Sequence, residues 1–131
     1  MSDRSWTPVF LPPDVPLPVG AYSPAVRAGD FIHVSGQVPR DPRSGTIVGE
    51  TVEAQAMQVL ANVTAVLAAA GASLNDVVAA TIYLENEQDW PAVNDIWKAA
   101  FTPPYPSRTT VGASLRGILI EVSVVAYRPL R

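Results

Sequence analysis

Apolar positions recur along this chain with two different periods, and each change of period marks a new element. Over residues 51–70, Met57, Leu60, Val63, Leu67 and Ala70 advance by three and four, the spacing that lines one face of a helix. The run is rich in alanine, a strong helix former, and Gly71 follows with the backbone freedom on which helices end. A second helical face is formed by Val93, Ile96, Trp97 and Ala100. Asp89 is placed to cap it, Pro91 falls in its first turn where a missing N–H costs little, and Pro103, Pro104 and Pro106 stop it. Strands are predicted over 25–38 (centred on Phe31–Gln37), over Val77–Leu84, over 108–113 and, after a turn at Arg116 and Gly117, over 118–127. Thr46, Ile47 and Val48 follow a turn cluster at 39–45 and predict a short strand that closes a hairpin with 25–38. The predicted order is β-β-α-β-α-β-β.

Helices that each lead back to a strand imply an α+β domain, a mixed sheet carrying two helices on one face. The other face is then expected to be apolar and to need covering. Composition points the same way: 48% of residues are hydrophobic and 16% charged, against about 25% charged in ordinary domains. A chain of 131 residues has a limited interior, so homo-oligomerisation is expected to bury part of this surplus. Six prolines within residues 1–24 fix φ and withhold donors, so residues 1–17 read as an extended arm ahead of one domain at 18–131.

The chain has no cysteine, which excludes disulfides, thiolate metal ligands and a cysteine nucleophile. With one histidine besides, no transition-metal site is expected. The N-terminus lacks a basic region followed by an apolar core, and no apolar run approaches the roughly 20 residues of a membrane span, so a soluble cytoplasmic protein without membrane contact is expected. Nine basic residues lie scattered among twelve acidic ones, and a nucleic-acid partner would call for a basic patch instead.

In so uncharged a chain, one arginine opening a strand and one carboxylate within an apolar run stand out. Arg108 follows a proline break, and its planar fork suits a carboxylate ligand; a surface salt bridge is the alternative. Glu121 alternates with apolar neighbours on a strand; enclosed, it could orient or deprotonate a water, and otherwise it points to solvent from an edge. Ser35 and Gly36 offer a hydroxyl and an approachable amide at a strand end, and Tyr22 a phenol on a turn or simply packing area. Asn94 stands mid-helix, where asparagine needs a compensating hydrogen bond. His33 reads as an ordinary core or surface histidine, and no glycine-rich phosphate loop or serine triad is present.

Taken in order, Gly20-Ala21-Tyr22-Ser23-Pro24-Ala25, Val34-Ser35-Gly36-Gln37, Gln58-Val59-Leu60-Ala61-Asn62-Val63, Ala69-Ala70-Gly71-Ala72 with Asp76-Val77-Val78, Val93-Asn94-Asp95-Ile96-Trp97, Pro106-Ser107-Arg108-Thr109-Thr110-Val111 and Ile120-Glu121-Val122 resemble the RidA family (YjgF/YER057c/UK114, formerly L-PSP endoribonuclease). The resemblance implies a chorismate-mutase-like fold, a homotrimer with clefts between subunits, and a cofactor-free enamine/imine deaminase. Such an enzyme hydrolyses 2-aminoacrylate-type 2-imino acids to 2-oxo acids and ammonia. Carried over by motif, Arg108 clamps the substrate carboxylate with help from the Thr110 amide, Glu121 holds the attacking water, and Tyr22, Ser35, Gly36 and Asn94 line the pocket. The chain departs from common family members at Thr110, where cysteine is frequent, at Ala21, where proline is, and at Pro24, where glutamine is. Pathway-specific deaminases or hydrolases of the same family, and a trimer that binds small carboxylates without turnover, are the other readings. RNA cleavage fits poorly with the acidic balance and single histidine.

Overall fold

In a computed structural model, which describes residues 3–130, the chain forms strands β1 (Thr7–Val9), β2 (Ala25–Ala28), β3 (Phe31–Gln37), β4 (Val77–Leu84), β5 (Ser107–Gly112) and β6 (Ile120–Tyr127). Helix α1 (Val52–Ala69) separates β3 from β4, and α2 (Trp90–Ala100) separates β4 from β5. The strands make one mixed six-stranded sheet in the order β1-β2-β3-β6-β4-β5. All pairings are antiparallel except β4 with β5, the one pair joined by a helical crossover.

Alternation along the central strands decides what each face carries. Ile120, Val122, Val124 and Ala126 of β6 are buried with Ile82 and Leu84 of β4 and Ile32 and Val34 of β3, and both helices pack on this side. On the other face Ala79, Thr81, Tyr83, Glu121, Ser123 and Val125 are half-buried. That open face is mixed in polarity and not the apolar surface the pattern predicted, because every second position of the long strands alternates threonine, serine, tyrosine or glutamate with alanine or valine.

Three local expectations change. The strand predicted over 25–38 is itself a hairpin: Gly29 takes φ +61° and Ala28 pairs with Phe31 across the turn. Thr46, Ile47 and Val48 make no strand, only an isolated bridge between Arg40 and Ile47. The loop there is held by backbone bonds from Asp41 to Thr46, Gly45 to Asp41 and Val48 to Pro39, and by the Asp41 carboxylate accepting from the Arg43 and Ser44 amides. The sixth strand comes from the proline-rich arm, where Thr7–Val9 lies along β2 at the sheet edge, the place where a proline is tolerated.

Thr51 caps α1 through its side chain, which accepts from the Ala54 amide at 3.1 Å, and Gly71 at φ +81° closes the helix with the Ala72 amide donating to Leu67. Its buried stripe runs Val52, Ala56, Val59, Leu60, Val63, Val66 and Leu67; Met57 is exposed, since it lies to the side of that stripe. The helix is long and apolar enough to cross a bilayer, but half of it is packed against the sheet. Asp89 does not cap α2 with its side chain, because a 3₁₀ turn at Glu87–Asp89 already carries helical backbone into Trp90.

Two buried amides on α1 serve the loops above it. Gln55 donates to the Gly49 carbonyl and accepts from the Leu119 amide, while Asn62 donates to the carbonyls of Val38 and Arg40 and accepts from Gln58. Losing Asn62 would strand the Arg40 carbonyl and leave that of Val38 with the Arg40 amide alone. Asn62→Ala is expected to lower unfolding free energy by about 2 kcal/mol with the denaturant slope unchanged, read from urea titrations.

Candidate active site

Arg108 and Glu121 sit on opposite faces of the sheet. Arg108 lies beside Ala80, and Ala80 faces the helices; Glu121 lies beside Tyr83 on the open face. Each gathers its own surroundings.

On the helix side, Trp90, Asn94 and Trp97 fall at i, i+4 and i+7 of α2 and form one stripe. The Arg108 guanidinium lies against that stripe, 5.3 Å from the Trp90 ring centroid and 5.6 Å from that of Trp97, and donates through Nη1 to Asn94 Oδ1 at 3.0 Å. Trp97 is buried and stacked on Phe101 at 4.3 Å, which fixes the inner wall. Two indoles facing one guanidinium contribute about 0.5–2 kcal/mol each and hold it in place. Burial lowers the Arg108 pKa from its ordinary value, the direction expected of a partly desolvated cation, and the group stays charged. Among the described residues no carboxylate pairs with it; the ion pairs present are Arg43–Asp14 and Arg128–Asp76. The salt-bridge alternative therefore falls away, and the cation opens on a recess of about 360 Å³ lined by Asn94, Trp97, Lys98, Tyr105, Pro106 and Arg108. Thr110 points to the same face two residues on, opposite Ile82, with its hydroxyl buried and without a hydrogen-bond partner.

On the open side, the Glu121 carboxylate lies directly over Gly36, so closely that a Cβ at that position would overlap it. Gly36 stands where the β3–β6 pairing slips between Val34 and Gln37, a bulge that brings backbone and carboxylate together. Ser35 donates its hydroxyl to the Ser23 carbonyl at 2.6 Å and its amide to Pro24, which ties the turn bearing Tyr22 to the strand end. Tyr22 is itself half-exposed, its ring folded over Gly20. His33 is exposed on β3, on the open face two residues before Ser35.

The family model described as Endoribonuclease L-PSP matches residues 13–128. The chain is a member of this L-PSP/RidA family. A RutC family protein of Pyrococcus horikoshii is 39% identical over 122 residues, covering 92% of this chain and 97% of that protein. A protein of Dermatophagoides farinae named 2-iminobutanoate/2-iminopropanoate deaminase is 39% identical over 106 residues, covering 81% and 83%. Among solved structures, RidA from an Antarctic Psychrobacter species superposes with a TM-score of 0.82 at 37% identity, covering 89% of this chain and 97% of that one.

For this RidA-family chain, then, sequence reasoning picks out Arg108, Asn94 and Thr110, which the fold brings to one face, and Glu121, Gly36, Ser35 and Tyr22, which it brings to the other. It misses Trp90, Lys98 and Tyr105, and assigns Trp97 to the core alone. The signal for the tryptophans is the i, i+4, i+7 spacing around a mid-helix asparagine, a polar residue that needed a partner. Trp90 is 45% exposed, so Trp90→Leu is expected to change folding stability by less than about 1 kcal/mol, read from urea unfolding.

Proposed function

We propose that this protein is an enamine/imine deaminase, hydrolysing 2-aminoacrylate-type intermediates in their 2-imino acid form to 2-oxo acids and ammonia. The observation that carries this reading is the clamped guanidinium of Arg108, partly desolvated, held by Trp90, Trp97 and Asn94, and among the described residues without a carboxylate of its own. A cation so placed is ready for the carboxylate of a small acid, and the relative named a 2-iminobutanoate/2-iminopropanoate deaminase agrees with that ligand class.

The chemistry asks little more than positioning. With the carboxylate on Arg108, the protonated C=N carbon is already electrophilic. Water adds to it through oxygen as Glu121 takes one of the water's protons and returns it to nitrogen; the C–N bond then breaks, and the remaining hydroxyl proton passes through Glu121 to the departing ammonia, which leaves as ammonium while C=O forms. One water is consumed and no electrons change hands, so no cofactor is required. In this reading Thr110 supports the carboxylate through its backbone amide.

Arg108 and Glu121 on opposite faces cannot meet within one chain, so the complete site takes Arg108, Asn94 and Thr110 from one copy and Glu121, Gly36, Ser35 and Tyr22 from the next. Such clefts close in a homotrimer, each copy supplying both halves to different neighbours. The exposed edge of β5 and the mixed open face are surfaces available for that contact. RNA cleavage, the activity in the family's descriptive name, is the less favoured reading, because the chain has a single histidine, His33, on the open face, and Arg108 lies on the helix side.

Two experiments test the reading. With imines made in situ by an amino-acid oxidase and trapped by semicarbazide, wild type should speed imine loss and Arg108→Ala should not. Gly36→Ala, which displaces the Glu121 carboxylate, should keep oxo-acid affinity but lose turnover by about 100-fold. Separately, Arg108→Ala and Glu121→Ala, each inactive alone, should regain partial activity when refolded together, because mixed assemblies contain clefts with both wild-type groups. No recovery in mixed assemblies would place both groups in one chain's site.

A further inference from the structure

The Arg108 recess carries a second cation that the deaminase reading leaves idle. Lys98 lines it, one helical turn beyond Asn94, the residue that holds Arg108. Four residues of helix separate Asn94 from Lys98 by about 6 Å along the axis, so an ammonium on a flexible stem stands within a small molecule's length of the guanidinium. No acidic side chain lines the recess, and among the described residues Lys98 makes no ion pair, Asp95 on the same helix included. Twelve acidic residues against nine basic ones make the molecule net negative, so a recess to which one chain brings two cations and no anion runs against the protein's own average, and the one carboxylate that a neighbouring copy adds, Glu121, is engaged by the attacking water. Tyr105 adds a phenol to the wall, and about 360 Å³ lies within the range of small-ligand sites.

We propose that this recess selects dicarboxylic 2-imino and 2-oxo acids, with Arg108 taking the carboxylate next to the reacting carbon and Lys98 the distal one. The inference rests on the deaminase reading for the reaction, and on the recess alone for the ligand. A ligand with two carboxylates neutralises both cations, whereas a monocarboxylate leaves the ammonium to water.

The test is calorimetric titration of the full chain with 2-oxoglutarate and 2-oxobutanoate, for wild type, Lys98→Met and Lys98→Arg. Wild type is expected to bind 2-oxoglutarate about fivefold more tightly than 2-oxobutanoate; Lys98→Met should erase that ratio and Lys98→Arg should keep it. Equal affinities in wild type, no binding of 2-oxoglutarate, or a ratio unmoved by Lys98→Met would each overturn the proposal. Imine hydrolysis is then compared for 2-iminoglutarate and 2-iminobutanoate, generated by matching oxidases. Turnover of both without preference removes the recess proposal and leaves the deaminase standing. Selective binding with no acceleration of either imine removes the deaminase reading and leaves the dicarboxylate ligand.

Discussion

A strand hydrogen-bonded on both edges has only two directions for its side chains, and β6, paired with β3 on one side and β4 on the other, imposes that choice on the whole molecule. Ile120, Val122, Val124 and Ala126 turn inward to the helices, so Glu121 must turn out. A slip of one residue would bury Glu121 and expose the core, at a cost no local change could offset. The same ladder, continued through β4 into parallel β5, turns Arg108 to the helix side. The separation of the two charged groups is thus a consequence of strand register and not of either residue's own preferences.

Each group is then fitted to its place by a neighbour that costs little elsewhere. Arg108 leaves bulk water only in part, and the indoles of Trp90 and Trp97 compensate with a flat, polarisable surface that a carboxylate partner would have occupied differently. A paired arginine would be neutralised and unavailable; a stacked one keeps its charge and its remaining N–H groups. Glu121 is accommodated by the missing side chain of Gly36, at a bulge where the ladder is already irregular. On the proposed reading, assembly of copies joins these two half-sites, which gives the mixed polarity of the open face a purpose that solvent exposure alone does not.

Much of the fold is legible in residue order. Helix α1 is recognisable from its three- and four-residue steps and from Gly71, β4 and β6 from their apolar runs, and the stop of α2 from its prolines. The failures share one cause, that local pattern does not contain the identity of the partner. Thr46, Ile47 and Val48 have strand-like side chains but pair with 39–41 only through the Asp41 amide on Thr46 and the Val48 amide on Pro39, a single bridge with no ladder beyond it. Thr7–Val9 has a proline at its centre and is still a strand, because the free edge of β2 asks for no donor from Pro8. Met57 obeys a helical count but lies beside the stripe that the sheet selects.

Composition and periodicity alone determine the α+β class, the two helices, the absence of thiol chemistry and the prominence of Arg108 and Glu121, since these depend on residue type and on spacing along one element. The tertiary structure decides which face each charge occupies, that Trp90 and Trp97 flank the guanidinium, that Lys98 shares its recess, and that Gly36 makes room for Glu121. Those facts depend on strand order, register and distances between residues far apart in the chain, and a chemical pattern read along one dimension carries none of them.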